Sequence, residues 1–231
     1  MSALVKATGL TKNYLTKKAL RGIEFECEKG KIIGLLGPNG SGKTTLMKIA
    51  AGLARPSSGE ILIEGHRPGL YTKSIVSYLP DTNYLFKWMK IKDAVNFFKD
   101  LYTDFDANKA KELLAFMKLN ENDKVTALSK GMLEKLNLTL TLSRKAKLYI
   151  FDEPLGGIDP VSREKILDAI LSNYNEDSSI MVSTHLVRDV ERLFDEVLFI
   201  SEGQIVLKGN AEDLREEKGK SIDELYREVF A

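Results

Sequence analysis

The chain of 231 residues carries one cysteine, Cys27, which excludes an internal disulfide and suits a reducing compartment. It carries almost no net charge, +1 at neutral pH, so nothing in the overall electrostatics points to nucleic acid or an anionic membrane surface as the main ligand. No apolar run approaches the roughly 20 residues that span a bilayer. The opening Met1-Ser2-Ala3-Leu4-Val5-Lys6 lacks the apolar core of a signal peptide. Internal repeats and low-complexity linkers are missing as well. What remains is a composition of 43% hydrophobic and 29% charged residues, ordinary for a water-soluble globular protein of one large domain or two small ones.

Against that plain background one stretch stands out: Gly37-Pro38-Asn39-Gly40-Ser41-Gly42-Lys43-Thr44-Thr45. Gly37, Gly42, Lys43 and Thr44 fit the phosphate-loop pattern, and the flanks agree with it. Lys31–Leu36 is a short apolar run of strand length, and Leu46, Met47, Ile49 and Ala50 recur at helical spacing. Glycines allow successive backbone N–H groups to curl around an anion, and the following helix adds its positive end. Lys43 is placed to reach the β- and γ-phosphates of a nucleotide, and the Thr44 hydroxyl to sit on Mg²⁺.

Upstream, residues 4–30 read as short strands joined by a loop, with Ile23, Phe25 and Cys27 alternating against Glu24, Glu26 and Glu28. Tyr14 falls in the polar stretch Thr11–Lys18 and, on composition, reads as a loop anchor. Downstream, turns at 55–59 and 65–69 bracket a strand at Glu60–Glu64, and a further strand at Ile75–Leu79 stops at Pro80-Asp81. From about Asn83 to Lys145 helical spacing takes over. Val95, Phe98, Leu101 and Tyr102 form one stripe; Leu113, Leu114, Phe116 and Met117 form another; a dense leucine run from Leu133 to Leu142 suits a mostly buried helix. The aromatic stretch Tyr84–Met89, with the only tryptophan at Trp88, reads equally as core of this helical block or as a groove for a partner helix.

Lys147–Phe151 then leads into the paired carboxylates Asp152 and Glu153. In parallel α/β sheets ligands collect beyond the carboxyl ends of the strands, so beside a phosphate loop Asp152 is placed to hold a Mg²⁺ shell and Glu153 to activate water. Taken alone, Asp152 could equally cap the next turn and Glu153 be a solvated acid. Past Gly156-Gly157-Ile158-Asp159-Pro160, Ser162 reads as a helix cap, with Ile166, Leu167, Ile170 and Leu171 as the apolar stripe. Ser179–Thr184 is a buried strand with His185 at its end. Val197–Ile200 and Gln204–Leu207 form a hairpin, and Ile222, Leu225, Tyr226, Val229 and Phe230 share one face of a closing helix that packs on the core.

In this order the stations resemble the ATP-binding subunit of an ABC transporter, bacterial exporter-like, along essentially the whole chain. The decisive piece beyond the phosphate loop is Leu128-Ser129-Lys130-Gly131-Met132, similar to the family signature L-S-G-G-Q and lying shortly before the acidic strand. The resemblance implies an α/β P-loop ATPase: a core at about 1–82 and 146–231 with a mixed sheet, an antiparallel β-subdomain, and an inserted helical subdomain at about 83–145. It implies ATP and Mg²⁺ as ligands, with Tyr14 stacking on adenine in place of the loop-anchor reading. Lys43, Glu153 and His185 become the catalytic set, and Thr44, Asp81 and Asp152 the metal set. Asp159 becomes a contact across a dimer. Family members pair head to tail, so Ser129, Lys130, Gly131 and Met132 would serve the opposite subunit's nucleotide. The expected partners are a second ATPase subunit and a separate transmembrane permease, which would hold the protein at the inner face of the cell membrane.

Two positions depart from the family pattern. Asp81 stands where Gln is usual; a carboxylate can approach Mg²⁺ but cannot donate a hydrogen bond. The signature has Lys130 and Met132 in place of Gly and Gln. The competing expectation is a soluble ABC-type ATPase acting in assembly or repair without a membrane partner.

Overall fold

The computed structural model describes residues 3–156, 158–174 and 177–231; Met1 and Ser2 at the start and Gly157 of the Gly156-to-Asp159 loop lie outside the described residues. Two long strands open the chain. β1 (Val5–Tyr14) and β2 (Lys17–Cys27) form an antiparallel hairpin in which Val5 faces Cys27 and Tyr14 faces Lys17. The alternation in β2 is as expected: Ile23, Phe25 and Cys27 are buried while Glu24 and Glu26 are exposed. The expected loop over Thr11–Lys18 is instead ladder, with only Leu15 and Thr16 in the turn. Polar residues are compatible with strand there because their backbone pairs across the hairpin and their side chains face out, Thr11 Oγ1 meeting Ser58 Oγ at 2.7 Å.

β3 (Ile32–Leu36) leads through the glycine-rich loop into α1 (Lys43–Ala50), and β4 (Ser58–Ile63) returns to pair antiparallel with β1, closing a three-stranded sheet of order β2-β1-β4. A short helix missing from the sequence reading follows, α2 (Leu70–Ile75), so the next strand, β5 (Val76–Leu79), starts one residue later than expected. The helix rests on Thr72, whose hydroxyl accepts from Gly69 N–H at 2.8 Å and donates to Gly69 O at 3.1 Å. Six residues are too few to show a helical stripe.

Three helices occupy the next stretch: α3 (Ile91–Leu101), α4 (Ala107–Phe116) and α5 (Lys130–Leu142). α3 buries Ile91, Ala94 and Phe98, and Leu101 of the expected stripe is exposed. α5 is enclosed on all sides over Leu136–Leu142, taking Asn137, Thr139 and Thr141 into the interior with the leucines. These helices share one continuous apolar cluster with the large sheet.

β6 (Leu148–Asp152), α6 (Pro160–Asn173), β7 (Ser179–Thr184), α7 (Val187–Val190), β8 (Glu196–Ser201), β9 (Gln204–Asn210), α8 (Ala211–Lys218) and α9 (Ile222–Phe230) complete the chain. Asp159, not Ser162, caps α6: its carboxylate accepts from Ser162 N–H at 3.0 Å, and the Ser162 side chain, then this N–H, hold the acid below its ordinary pKa. α8 also escaped the sequence reading, because only Ala211 and Leu214 are buried and no stripe forms; Asn210 caps it. α9 seats Tyr226 and Phe230 on Phe199 of β8, as expected of a packed tail.

The large sheet runs β5-β6-β7-β3-β8-β9, all parallel except β9, which is antiparallel to β8. Its central strands β3, β6 and β7 are buried on both faces, as parallel strands covered on both sides must be, while the edge strand β9 is exposed on one face. Ile32, Leu36, Phe151, Val182 and Phe199 face the helical cluster, and Ile33, Leu35, Ile150, Met181 and Leu198 face α1 and the small sheet. α1 is therefore held between the two sheets, and the loop before it is fixed from both sides. Cys27 is buried in this second cluster, its thiol pushed up from the ordinary value by burial and by the neighbouring Glu196.

Candidate functional site

The parallel order brings the carboxyl ends of β3, β6 and β7 side by side, and the sequence-predicted residues of the core meet there. At the end of β3 the chain turns through Gly37–Gly42. A Cβ on Gly37 would lie 2.2 Å from Ile200 O, so no side chain fits where the loop leaves the sheet. Gly42 has φ +118°, and a Cβ there would also meet Ala19 O at 2.6 Å. These two positions let the loop close tightly over the start of α1, whose unpaired N–H groups and dipole form an anion site.

Lys43, the first residue of α1, is buried. Its Nζ donates to Gly37 O at 2.7 Å and Pro38 O at 3.2 Å, and lies 3.6 Å from Glu153 Oε1. Asp152 closes β6, and its Oδ1 accepts from Thr44 Oγ1 at 3.1 Å and Ser183 Oγ at 2.7 Å. Its Oδ2 accepts from Tyr78 OH at 3.3 Å. Burial, then the Asp152 carboxylate, push the Tyr78 phenol up from its ordinary value.

Glu153 has φ +53°, a left-handed conformation costing a non-glycine residue about 1 kcal/mol or more and typical of functional turns. It is held there by its own N–H, which donates to Ser183 O at 3.1 Å and Ser183 Oγ at 3.0 Å. The side chain splits its two oxygens. Oε2 pairs with His185 Nδ1 at 2.9 Å, and Oε1 is buried with no hydrogen-bond partner among the described residues.

Beside these groups a cavity of about 230 Å³ is lined by Tyr14, Lys17, Ala19, Asn39, Gly40, Gly42, Lys43, Thr44, Thr45, Asp81 and Glu153. Tyr14 therefore stands at a strand end beside the phosphate loop, with Lys12 Nζ 4.8 Å from its ring centre, and is not a loop anchor. Ser41 sits within the loop, its buried hydroxyl oxygen without a hydrogen-bond partner among the described residues. None of Ser129, Lys130, Gly131 and Met132 lines this cavity, nor does Asp159. Ser129 caps α5, accepting from Met132 N–H at 3.3 Å, and Lys130 is exposed.

Sequence reasoning missed Ser183, Tyr78 and Lys17. Ser183 is aligned with Asp152 in the β6–β7 register, and Lys17 with Tyr14 in the hairpin. Only the pairing exposes either; a strand-end serine or a lysine in a polar run carries no signal by itself.

A family model described as ABC transporter matches residues 20–156, more than half of the chain. The chain belongs to this family. An uncharacterised ABC transporter ATP-binding protein of Methanocaldococcus jannaschii is 33% identical over 219 residues, covering 93% of this chain and 80% of the relative. The linearmycin resistance ATP-binding protein LnrL of Bacillus subtilis is 32% identical over 219 residues, covering 91% and 70%. A solved ATP-binding subunit of an ABC transporter superposes with a TM-score of 0.88 at 28% identity, over 98% of this chain and 99% of that one. The protein is thus an ABC-type ATPase subunit with the α/β architecture of its cassette relatives. Among the described residues no helix is long and apolar enough to cross a membrane.

Proposed function

We propose that this ABC ATPase subunit binds ATP with Mg²⁺ in the cavity at the phosphate loop, hydrolyses it with Glu153, and drives a separate membrane-spanning partner. One observation carries the chemical reading: Glu153 Oε1 is buried, makes no hydrogen bond among the described residues, and lies 3.6 Å from Lys43 Nζ. A carboxylate oxygen left in that state is equipped to take a proton from water while its twin is anchored by His185. Tyr14 offers its face to adenine, the Gly37–Thr45 backbone and Lys43 hold the phosphates, and Lys17 adds a second cation at the cavity wall. The donor set suits Mg²⁺: the Thr44 hydroxyl and the Asp152 carboxylate are hard oxygens, and Asp81 lines the same cavity. Among the described residues no cluster of three or more His, Cys, Asp or Glu could hold a metal, which suits an ion completed by phosphate oxygens. When bound, Mg²⁺ would neutralise charge on the phosphates.

The signature Ser129–Met132 and the Asp159 turn lie away from this cavity, and this supports a head-to-tail dimer in which each subunit completes the other's site. The division into an α/β core and a helical insert at 83–145 belongs to the same proposal. A groove of about 410 Å³, walled by Leu53, Val76, Tyr78, Tyr84, Phe98 and Tyr102, supports docking of a partner helix. The buried Arg144 guanidinium backs it, donating to Val76 O and Asp104 and lying 4.0 Å from the Tyr102 ring centre. Nearby, Phe86, Trp88 and Phe97 form an exposed aromatic cluster, with Trp88 70% exposed and stacked on Phe86. Rings left in water at that level favour an interface over the helical-core reading.

The test is purification in mild detergent from cells carrying wild-type protein or Trp88→Ala. The expected result is co-elution of an integral membrane protein with wild type and its loss in the variant, about 30-fold or more in affinity, with basal ATPase retained. Wild-type protein that elutes alone and remains fully active would favour the assembly or repair reading.

A further inference from the structure

Asp152 is gripped from three directions, and only two of them belong to the phosphate-loop neighbourhood. Thr44 reaches it from α1 and Ser183 from β7, both on Oδ1. The third donor is Tyr78 on β5, the strand on the opposite side of β6, and it alone takes Oδ2. The register explains the reach. Tyr78 is aligned with Ile150, two residues before Asp152 and on the same face of β6, so a side chain as long as tyrosine spans the diagonal to the carboxylate. Tyr78 also forms part of the groove wall. Three residues further along, Asp81 occupies a position at the cavity but has no hydrogen-bond donor to offer.

We propose that Tyr78 is a positioning residue for the cation: its hydroxyl fixes the rotation of the Asp152 carboxylate and supplies, from the wall of the groove, the donor that Asp81 lacks. This rests on the assignment of Asp152 to the Mg²⁺ shell. With Oδ2 tied back to Tyr78, Oδ1 is aimed at Thr44, the residue with which it would share the ion. Outer partners of this kind, which orient a ligand without touching the metal, typically change metal affinity by about 10–100-fold when removed. The long 3.3 Å contact places this one at the lower end of that range.

Tyr78→Phe tests it, because the ring and its packing stay while the hydroxyl goes. Mn²⁺ serves as the probe, titrated against protein and ADP by electron paramagnetic resonance, with ADP binding in EDTA and urea unfolding as companion measurements. The expected result is Mn²⁺ affinity about tenfold weaker in the variant, with metal-free ADP affinity within about twofold and the urea midpoint unchanged. Equal Mn²⁺ affinity in the two proteins overturns the inference. So does a variant that loses metal-free ADP binding and stability to the same extent, since that marks tyrosine as mere packing. If wild type shows no ADP-dependent Mn²⁺ binding, the assignment of Asp152 itself falls and the role of Tyr78 with it.

Discussion

The turns that open α1 and α5 are in opposite states. The loop before α1 is wrapped: Ile200 and Ala19 press on Gly37 and Gly42, Lys43 is buried against loop carbonyls, and Glu153 closes the far side. The turn before α5 is bare: Ser129 and Lys130 are exposed, and a Cβ added to Gly131 would meet nothing within 4 Å. Both turns present helix N-termini, so both are suited to anions, yet only the first has side chains gathered around it. A wrapped turn is complete within one chain; a bare one with the same polarity is what a second subunit would need to find.

Glu153→Gln should produce the largest effect. The amide keeps the shape but cannot take a proton, so hydrolysis should fall about 10²–10⁴-fold while nucleotide binding persists and a closed dimer accumulates in light scattering. Undiminished turnover in that variant would remove Glu153 from its role. Gly131→Leu, combined with Glu153→Gln, strikes the bare turn alone. The open space around Gly131 predicts an unchanged urea midpoint and unchanged nucleotide affinity of the monomer, with ATP-dependent dimerisation abolished. If the double variant still dimerises, the two turns do not meet.

The smallest effect concerns Glu134, on the helix that the bare turn opens. Burial lifts this carboxyl from 4.5 to about 7, with Lys130 opposing the shift and Asp81 adding to it. The folded state therefore holds the proton more tightly than the unfolded chain. Ionising Glu134 costs stability progressively as pH rises from 4.5 through about 7, and the cost is complete above that. Glu134→Gln should stabilise the protein by about 1 kcal/mol at pH 8, after allowance for solvent screening, and leave it unchanged at pH 4. A pH-independent difference in urea midpoints would contradict the assignment.

How much of this was legible beforehand varies with the kind of signal. The phosphate loop, the Asp152-Glu153 strand end and His185 could be read because their chemistry is tied to contiguous residues and strong apolar runs. The helices α2, α7 and α8 could not, since each buries too few apolar side chains to print a period. Tyr14 looked like a loop residue because its neighbours are polar, and only the ladder with Lys17 shows that they belong to strands. Ser162 looked like a cap because serine often is one, while Asp159 three residues earlier had already taken the post. Ser183 and Tyr78 become visible only once β5, β6 and β7 are laid side by side, because their partner is Asp152, 31 and 74 residues away.

Cys27 makes the molecule its own gauge. With one thiol, buried on β2 where Cys27 pairs with Val5 at the hairpin end opposite Tyr14, and kept protonated by burial, alkylating reagents can react only when that end of the hairpin lifts. The labelling rate in native buffer thus times the parting of the small sheet from the core at its Val5–Cys27 end, with no engineered reporter and no second cysteine to confuse the reading.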